Sequence, residues 1–446
     1  MKFPFSVNAE FFRLPVGLLV VLTAYLIYQQ AEFGGTMDTY LHLPIASTLV
    51  DSGTMNIDIW RNHKFMDPLF EMQFWMIQRD GLTYSYFPFG SSLMAVPYAL
   101  YIGPVLIQTP GFDHRNAQQN FASLLAAWSL LFIYLTLLRV SGRILISASG
   151  TVAVAFGTTI YSTAAVAIWT HTTGLLCLSF GLYCLTTTAY SRHNNRTWHL
   201  LLWLPAGILA GIACIIRPTN IVFLSSMLLY CTLTRQWKAL GLAVLGGTPA
   251  ILCGLLLSKL TFGTYLPPYI GEQGLTGLIP EALLAYLISP GRGLFIYMPF
   301  SILALFAMPQ ILRGIRAATV LRFPRRNLIL LLCAGNTTIG YLIFCSWSGW
   351  WGGWSYGPRF WTEAVPFLAV LSTAGYMQAE STFSRSQPGF RPALRLILFF
   401  LFCWSLFVHS VGANSRKAMI WNQIPPHLGI SSDRVWDWRD PQFFAF

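Results

Sequence analysis

Eleven stretches of this chain are apolar for long enough to cross a bilayer, which leaves little room for a soluble fold. They run over 14–30, 119–138, 144–166, 170–190, 199–216, 218–233, 238–260, 293–311, 327–346, 362–380 and 393–412. A membrane-spanning helix needs about 20 mainly apolar residues. Charged residues make up 10% of the chain, against roughly 25% in soluble domains. The expected class is therefore an all-α polytopic membrane protein with about eleven, and at most thirteen, transmembrane helices. A further apolar segment, 89–109, is interrupted by Pro97 and Pro104. No stretch is long and polar enough for a typical soluble domain. Residues 1–412 thus read as one transmembrane domain with a short tail, 413–446, and any binding or catalytic apparatus must come from loops and helix ends. The first apolar run outlines a signal peptide but lacks a small-residue cleavage site, so an uncleaved anchor is expected.

A net charge of +12 invites a nucleic-acid reading, but its distribution excludes one. With the N-terminus inside, the inner ends hold Lys2, Arg13, Arg139, Arg143, Arg192, Arg196, Arg235 and Lys238. They also hold Arg313, Arg316, Arg322, Arg325, Arg326, Arg385, Arg391 and Arg395, against Glu10 and Glu380 alone among the acids. This is the positive-inside bias of membrane proteins. It holds along the chain if 89–109 does not cross, so that segment reads as a re-entrant or interfacial helix pair. The eight cysteines all lie in apolar segments without a CxxC pair and read as small core residues.

With this topology the unusual polar residues gather on the outer face. The first outer loop, about 31–88, carries Glu32, Asp38, Asp51, Asp58, Asp67, Glu71 and Asp80. It shows no strand alternation, and Asp38 to Val50 reads as an interfacial helix. Tyr84-Ser-Tyr-Phe-Pro-Phe-Gly90 then leads into 89–109. Further outer turns hold Trp169-Thr-His171 and Ile216-Arg217-Pro-Thr-Asn220. The loop 261–292 contains Tyr265-Leu-Pro-Pro-Tyr269 and Ser289-Pro-Gly-Arg-Gly293. Last comes 347–361, with five tryptophans, four glycines and Arg359, followed by Glu363. Indoles suit a membrane–water boundary, glycines allow close backbone approach, and a fixed arginine can clamp an anion. The combination points to a polar ligand with an anionic group.

Each residue also has a plainer reading. Asp38 can cap the interfacial helix, or serve as a general base. Arg217 can snorkel to headgroups, and His171 can cap its helix. Arg292 lies between two glycines, which a snorkelling residue would not need. Arg359 can pair with Glu363 four residues on, if helix begins there. No His, Cys and carboxylate spacing signals a metal site. A divalent ion held by Asp38 with Asp51, Asp58 or Asp67 stays open.

Taken together, the motifs Gly35-Thr-Met-Asp38, Tyr84 to Gly90, Ile215-Ile-Arg-Pro-Thr219, Ser289 to Gly293 and Trp350 to Arg359 resemble the C-type glycosyltransferases. More narrowly, they resemble the bacterial branch related to protein O-mannosyltransferases and lipid A aminoarabinose transferases. The likeness runs from about 30 to 380. It implies a multi-pass enzyme of a bacterial inner membrane, its site facing the periplasm or exterior. The sugar, a hexose or pentose, would leave a polyprenyl-phosphate carrier for a hydroxyl of a glycan, lipid or protein, usually with inversion. In that family the base is an acid of the first outer loop, which maps onto Asp38. Relatives often carry two adjacent acids there, whereas Thr39 follows Asp38, which weakens the case for a metal.

On this reading Arg217, Arg292 and Arg359 bind the donor phosphate, where leaving-group departure develops anionic charge. Tyr84, Tyr86, His171, Trp351, Trp354, Tyr356 and Glu363 are the expected substrate contacts, with membrane lipids as surroundings and no nucleic-acid partner. The competing readings are a transporter or flippase of lipid-linked sugars, then an O-antigen ligase or polymerase. A transporter would place ionisable residues near the midplane, and here the spans are nearly charge-free.

Overall fold

The eleven apolar stretches all become helical, though not all as plain α-helix. The computed structural model describes residues 13–32, 34–63, 76–190, 197–269, 274–318, 323–383, 389–424, 428 and 432–445. Asp67 and Glu71, and the basic residues Lys2, Arg192, Arg196, Arg322 and Arg385, lie outside these. The elements are α1 (Arg13–Tyr28), α2 (His42–Ser52), β1 (Met76–Arg79), β2 (Leu82–Ser85), α3 (Gly90–Ile102), α4 (His114–Ser141) and α5 (Ile144–Phe156). There follow α6 (Thr170–Tyr190), α7 (Trp203–Ile216), α8 (Ile221–Leu233), α9 (Trp237–Phe262), α10 (Pro280–Ile288) and α11 (Met308–Ala317). Then come α12 (Arg325–Cys345), α13 (Val365–Phe383) and α14 (Phe390–Asn414). Seven of the described helices are long and apolar enough to cross a membrane by length and composition, so the chain is a multi-pass membrane protein.

Small residues set a close helix contact. On α7 and α9, Gly207, Gly211, Gly246 and Gly247 face one another, and a Cβ on Gly211 would lie 2.6 Å from the Gly247 carbonyl oxygen. Lipid supplies no hydrophobic drive between helices, so backbones that approach this closely gain packing instead. α6 is the most enclosed of the seven long helices, with 83% of its apolar window buried, and it carries His171 at its start.

The span expected over 293–311 is broken. One turn (Leu294–Tyr297) gives way to a nine-residue 3-10 stretch, Pro299–Ala307, before α11. Pro299 and Pro309 supply no backbone N–H, which interrupts the i→i−4 ladder at both ends. The segment 89–109 forms α3 and a single turn (Pro104–Ile107), parted at Gly103 with φ +99°. At 13 residues, α3 is shorter than the roughly 20 needed to cross, and it packs on α2.

The loop between α1 and α3 has its own core, in which Leu41, Leu43, Ile57 and Trp60 are buried with Phe89 and Phe121. Trp60 Nε1 donates to Thr48 Oγ1 at 2.9 Å. Contrary to the expectation from alternation, the loop also holds an antiparallel hairpin pairing Met76 with Ser85 and Arg79 with Leu82. Its two-residue turn, Asp80 and Gly81, has φ +51° and +76°. An Asp-Gly pair is the usual signature of such a turn, and β1 and β2 are too short to show alternation clearly. Asp58 ties the hairpin down, accepting from Thr83 N at 2.9 Å and Thr83 Oγ1 at 2.6 Å. Burial opposes its ionisation, but the Thr83 bonds and the Arg61 guanidinium outweigh that and hold its carboxyl below the usual range.

Candidate active site

α1 ends at Tyr28, and Thr36, in extended conformation, leads into a single helical turn, Met37–Tyr40, that carries Asp38. The N-cap position of that turn is Thr36, not Asp38, so the capping reading is set aside. Thr36 Oγ1 donates to Asp38 Oδ1 at 2.5 Å, and Arg359 Nη1 donates to Asp38 Oδ2 at 3.2 Å. Both side chains keep some access to solvent, 24% for Asp38 and 13% for Arg359.

Arg359 opens a 3-10 segment, Arg359–Ala364. With three residues per turn, i and i+4 no longer share a face. The Arg359–Glu363 pair expected for an α-helix therefore does not form, and Arg359 turns to Asp38. Its guanidinium carbon lies 4.7 Å from the Trp169 ring centroid and 5.2 Å from that of Phe360, both within cation–π range. Arg359 Nε and the enclosed Trp169 Nε1 and Trp354 Nε1 have no hydrogen-bond partner among the described residues. A buried donor left unpaired costs about 1–3 kcal/mol, so these three N–H groups are places for an oxygen-rich ligand or water.

Arg217 caps the end of α7 in extended conformation. Its Nε lies 3.4 Å from Glu363 Oε2, and its Nη1 lies 2.7 Å from the His171 ring nitrogens. His171 Nδ1 is 3.4 Å from the same carboxylate oxygen. A neutral ring with its proton on Nδ1 would satisfy Glu363 and leave Nε2 to accept from Arg217. Asn220 Nδ2 donates to Glu363 Oε1 at 3.0 Å. Close packing fixes the group: a Cβ on Gly90, at the start of α3, would lie 2.5 Å from Ile216 N. Phe360 joins the two arginines, since the Arg217 guanidinium lies 5.5 Å from the ring centroid already beneath Arg359. Two arginines thus face two carboxylates, and the spare capacity of the site is in hydrogen-bond donors rather than net charge.

Arg292 belongs to a different network, and the expectation that it meets the donor phosphate gives way here. It is 1% exposed. Its Nε donates to Trp351 O at 2.6 Å, and Nη1 to Gly291 O at 2.8 Å and Gln442 Oε1 at 3.1 Å. Nη2 reaches Gly353 O at 3.2 Å and Ser355 O at 3.4 Å. Every face of the guanidinium is occupied by the tryptophan loop and its neighbours. The flanking glycines answer to close packing: a Cβ on Gly291 would lie 3.0 Å from Val435 Cα, and one on Gly293 2.5 Å from Ser289 O.

Two expected substrate contacts likewise turn out to hold this loop. Tyr356 is buried and its hydroxyl donates to Val408 O at 2.5 Å. Trp351 Nε1 donates to Leu428 O. Trp354 is half-buried and keeps its unpaired N–H.

Tyr86 and Tyr84 line the approach from the hairpin. Tyr86 packs edge-on against Tyr269 at 5.5 Å and Tyr84 against Phe262 at 6.3 Å. Tyr269 is a site residue that the sequence alone does not single out. Burial pushes its phenol up to about 12, with Arg217 and Arg359 drawing it down and Asp38 raising it, so it sits in the field of all three. Its one advance signal is its place in Tyr-Leu-Pro-Pro-Tyr. Trp169 and Asn220, also absent from the expected contacts, adjoin residues that are among them.

One turn beyond Asp38, His42 contacts Ser92 Oγ through Nδ1 at 3.1 Å. Burial pushes it down to about 4, against the opposing charge and backbone of Asp38. Beside Glu363, a groove runs between α8, α12 and α13, lined by Asn220, Phe223, Tyr341, Phe344 and Phe367. Among the described residues no three His, Cys, Asp or Glu side chains gather as a metal site would need. Asp51 meets Gln108 and Asp58 meets Thr83, each apart from the Asp38–Arg359 pair, while Asp67 lies outside the described residues.

No family model and no curated protein sequence matches the chain. Solved structures do. The oligosaccharyltransferase of Archaeoglobus fulgidus, tethered to an acceptor peptide, superposes with a TM-score of 0.51 at 12% identity, covering 94% of this chain and 58% of that one. The chain thus spans less than two thirds of that enzyme. ArnT from Cupriavidus metallidurans, bound to undecaprenyl phosphate, superposes with a TM-score of 0.50 at 12% identity, covering 95% of this chain and 70% of that one. The chain shares the fold of these two proteins.

Proposed function

We propose that this protein is a membrane glycosyltransferase that moves a hexose or pentose from a polyprenyl-phosphate donor to an acceptor hydroxyl, at the outer face of a bacterial inner membrane. The observation that carries the proposal is the Asp38–Arg359 pair at 3.2 Å, partly exposed and flanked by the unpaired N–H groups of Arg359 and Trp169. A carboxylate and a phosphate clamp side by side are what inverting transfer from a sugar phosphate requires. The fold shared with ArnT and the oligosaccharyltransferase supports the same reading.

In this chemistry the acceptor oxygen attacks the anomeric carbon, and its proton passes to Asp38. The bond from that carbon to the phosphate oxygen breaks, and the electron pair stays on the phosphate. Arg359, with Trp169 Nε1, would take the phosphate oxygens, and Arg217 would add its charge from the far side of Phe360. The apolar groove beside Phe344 would take the carrier chain, and Tyr86 with Tyr269 would wall the sugar. Inversion needs one base and no covalent intermediate. The acceptor would be a glycan, lipid or protein, and no step of the scheme is routed through a metal.

The test is transfer in proteoliposomes supplied with polyprenyl-phosphate sugars. Asp38→Asn should lower turnover by on the order of 10²–10⁴-fold while the protein purifies as the wild type does. Full activity of Asp38→Asn would remove Asp38 from the reaction.

A further inference from the structure

We propose that Gln442, near the C-terminal end of the chain, is a positioning residue for Arg359. The proposal rests on the reading of Asp38 and Arg359 as the transfer centre and adds a part of the molecule that reading does not use. The tail after α14 folds back over the tryptophan loop and on itself. Ser415 Oγ donates to Ala445 O at 2.7 Å, and Trp421 Nε1 to Asp440 O at 2.9 Å. Arg434 is 4% exposed, stacks 4.2 Å over Trp421 and donates to Ile424 O at 2.7 Å. Gly291 N donates to Val435 O at 3.0 Å, so the tail also lies over the Pro-Gly-Arg-Gly loop.

Gln442 is where this tail reaches the Ser355–Gly357 part of the tryptophan loop. Its side chain is fully buried. Oε1 accepts from Arg292 Nη1 at 3.1 Å and from Gly357 N at 3.0 Å. Nε2 donates to Ser355 O at 3.0 Å and to Ala418 O at 2.8 Å, with a longer contact to Asn422 Oδ1 at 3.4 Å. A primary amide offers two donors and two acceptor sites, and all four are in use. Flipping the amide would set NH₂ against two donors, so the chemistry admits one orientation. Gly357 has φ +53°, and the Arg359 amide donates to Gly357 O at 3.0 Å. The chain of contacts runs from Gln442 through Gly357 to Arg359 and on to Asp38. Arg292 holds the carbonyls on the other side of the same loop. Together they fix the backbone from which the Arg359 guanidinium projects.

Displacement of a catalytic group by about 1 Å can cost on the order of 10²-fold in rate. Gln442→Leu keeps the volume and loses every one of these bonds. Gln442→Glu keeps the acceptors for Gly357 and Arg292 and turns its second oxygen against two carbonyls.

The experiment joins two measurements on full-length protein in proteoliposomes. Amide hydrogen exchange should be about five- to tenfold faster over 351–359 in Gln442→Leu, with α6 and α12 unchanged, and less so in Gln442→Glu. Turnover with a polyprenyl-phosphate sugar should fall with KM for the donor held, and Gln442→Glu should recover part of it. Unchanged exchange in 351–359 would overturn the proposal. So would faster exchange with undiminished turnover, or a rise in KM alone. Should Gln442→Leu fail to fold, Gln442→Glu carries the same comparison through exchange and turnover. If the wild type moved no sugar, the functional reading would fall by itself, and the exchange data would still decide whether the tail holds the loop.

Discussion

Asp38 and Arg359 stand 321 residues apart in the chain and meet at 3.2 Å. Neither has a local partner of opposite charge in that geometry. The 3-10 turn at 359–364 denies Arg359 the Glu363 carboxylate, and Glu363 goes instead to Arg217 and His171. Two ion pairs thus form where simple helical spacing would have made one.

Arg359→Lys keeps the charge and loses the planar fork. Asp38 and the donor phosphate would no longer be served by one rigid group. Turnover in proteoliposomes should drop by on the order of 10²-fold, with the melting profile close to that of the wild type. Activity at the wild-type level would show that the fork is not used.

Glu363→Ala leaves Arg217 enclosed without its counter-charge and strips Asn220 and His171 of their acceptor. Breaking a buried pair from one side costs about 3–5 kcal/mol. The variant should unfold at a clearly lower temperature in detergent, and Gly174→Ala should shift it the same way, because the added methyl meets Glu363 Oε1. A thermal midpoint unmoved in both would mean that the network contributes nothing to stability.

Arg292→Lys tests the loop scaffold. An ammonium has three donors on one point and cannot span the carbonyls of Trp351, Gly353 and Ser355 together. Each lost bond that leaves a buried acceptor costs about 1–3 kcal/mol. Stability should fall while KM for the donor stays near the wild-type value. A large rise in KM at unchanged stability would return Arg292 to the phosphate site.

His42 gives a pH dependence with a definite sign. Its ordinary value of 6.5 is lowered to about 4 in the folded protein by burial. The unfolded chain therefore binds more protons between these values, and stability falls as pH drops from 6.5 towards 4. Thermal midpoints recorded across that window should decline less steeply in His42→Gln. Parallel slopes would show that another group governs the acid limb.

The spans are legible because hydropathy and the positive-inside bias are properties of short windows, read without knowing which windows touch. The hairpin at Met76–Ser85 is readable in principle from Asp80-Gly81, but four-residue strands barely display a period of two. Arg292 is not legible at all. A glycine-flanked arginine suits a ligand loop and a buried scaffold equally, and the difference lies in carbonyls 59 to 63 residues away. The same holds for Tyr269, which feels the charges of Asp38, Arg217 and Arg359 from three distant parts of the chain.

The wide separation of Asp38 and Arg359 has a consequence for biogenesis. The 321 residues between them take roughly 16–64 s to synthesise at about 5–20 residues per second. Throughout that interval Asp38 is already made, while the guanidinium that will hold it is not. Gln442, which steadies the loop, emerges later again. A nascent or truncated copy in the membrane therefore carries a carboxylate with no clamp opposite it. On the proposed chemistry, the order of synthesis itself keeps unfinished chains from consuming lipid-linked sugar.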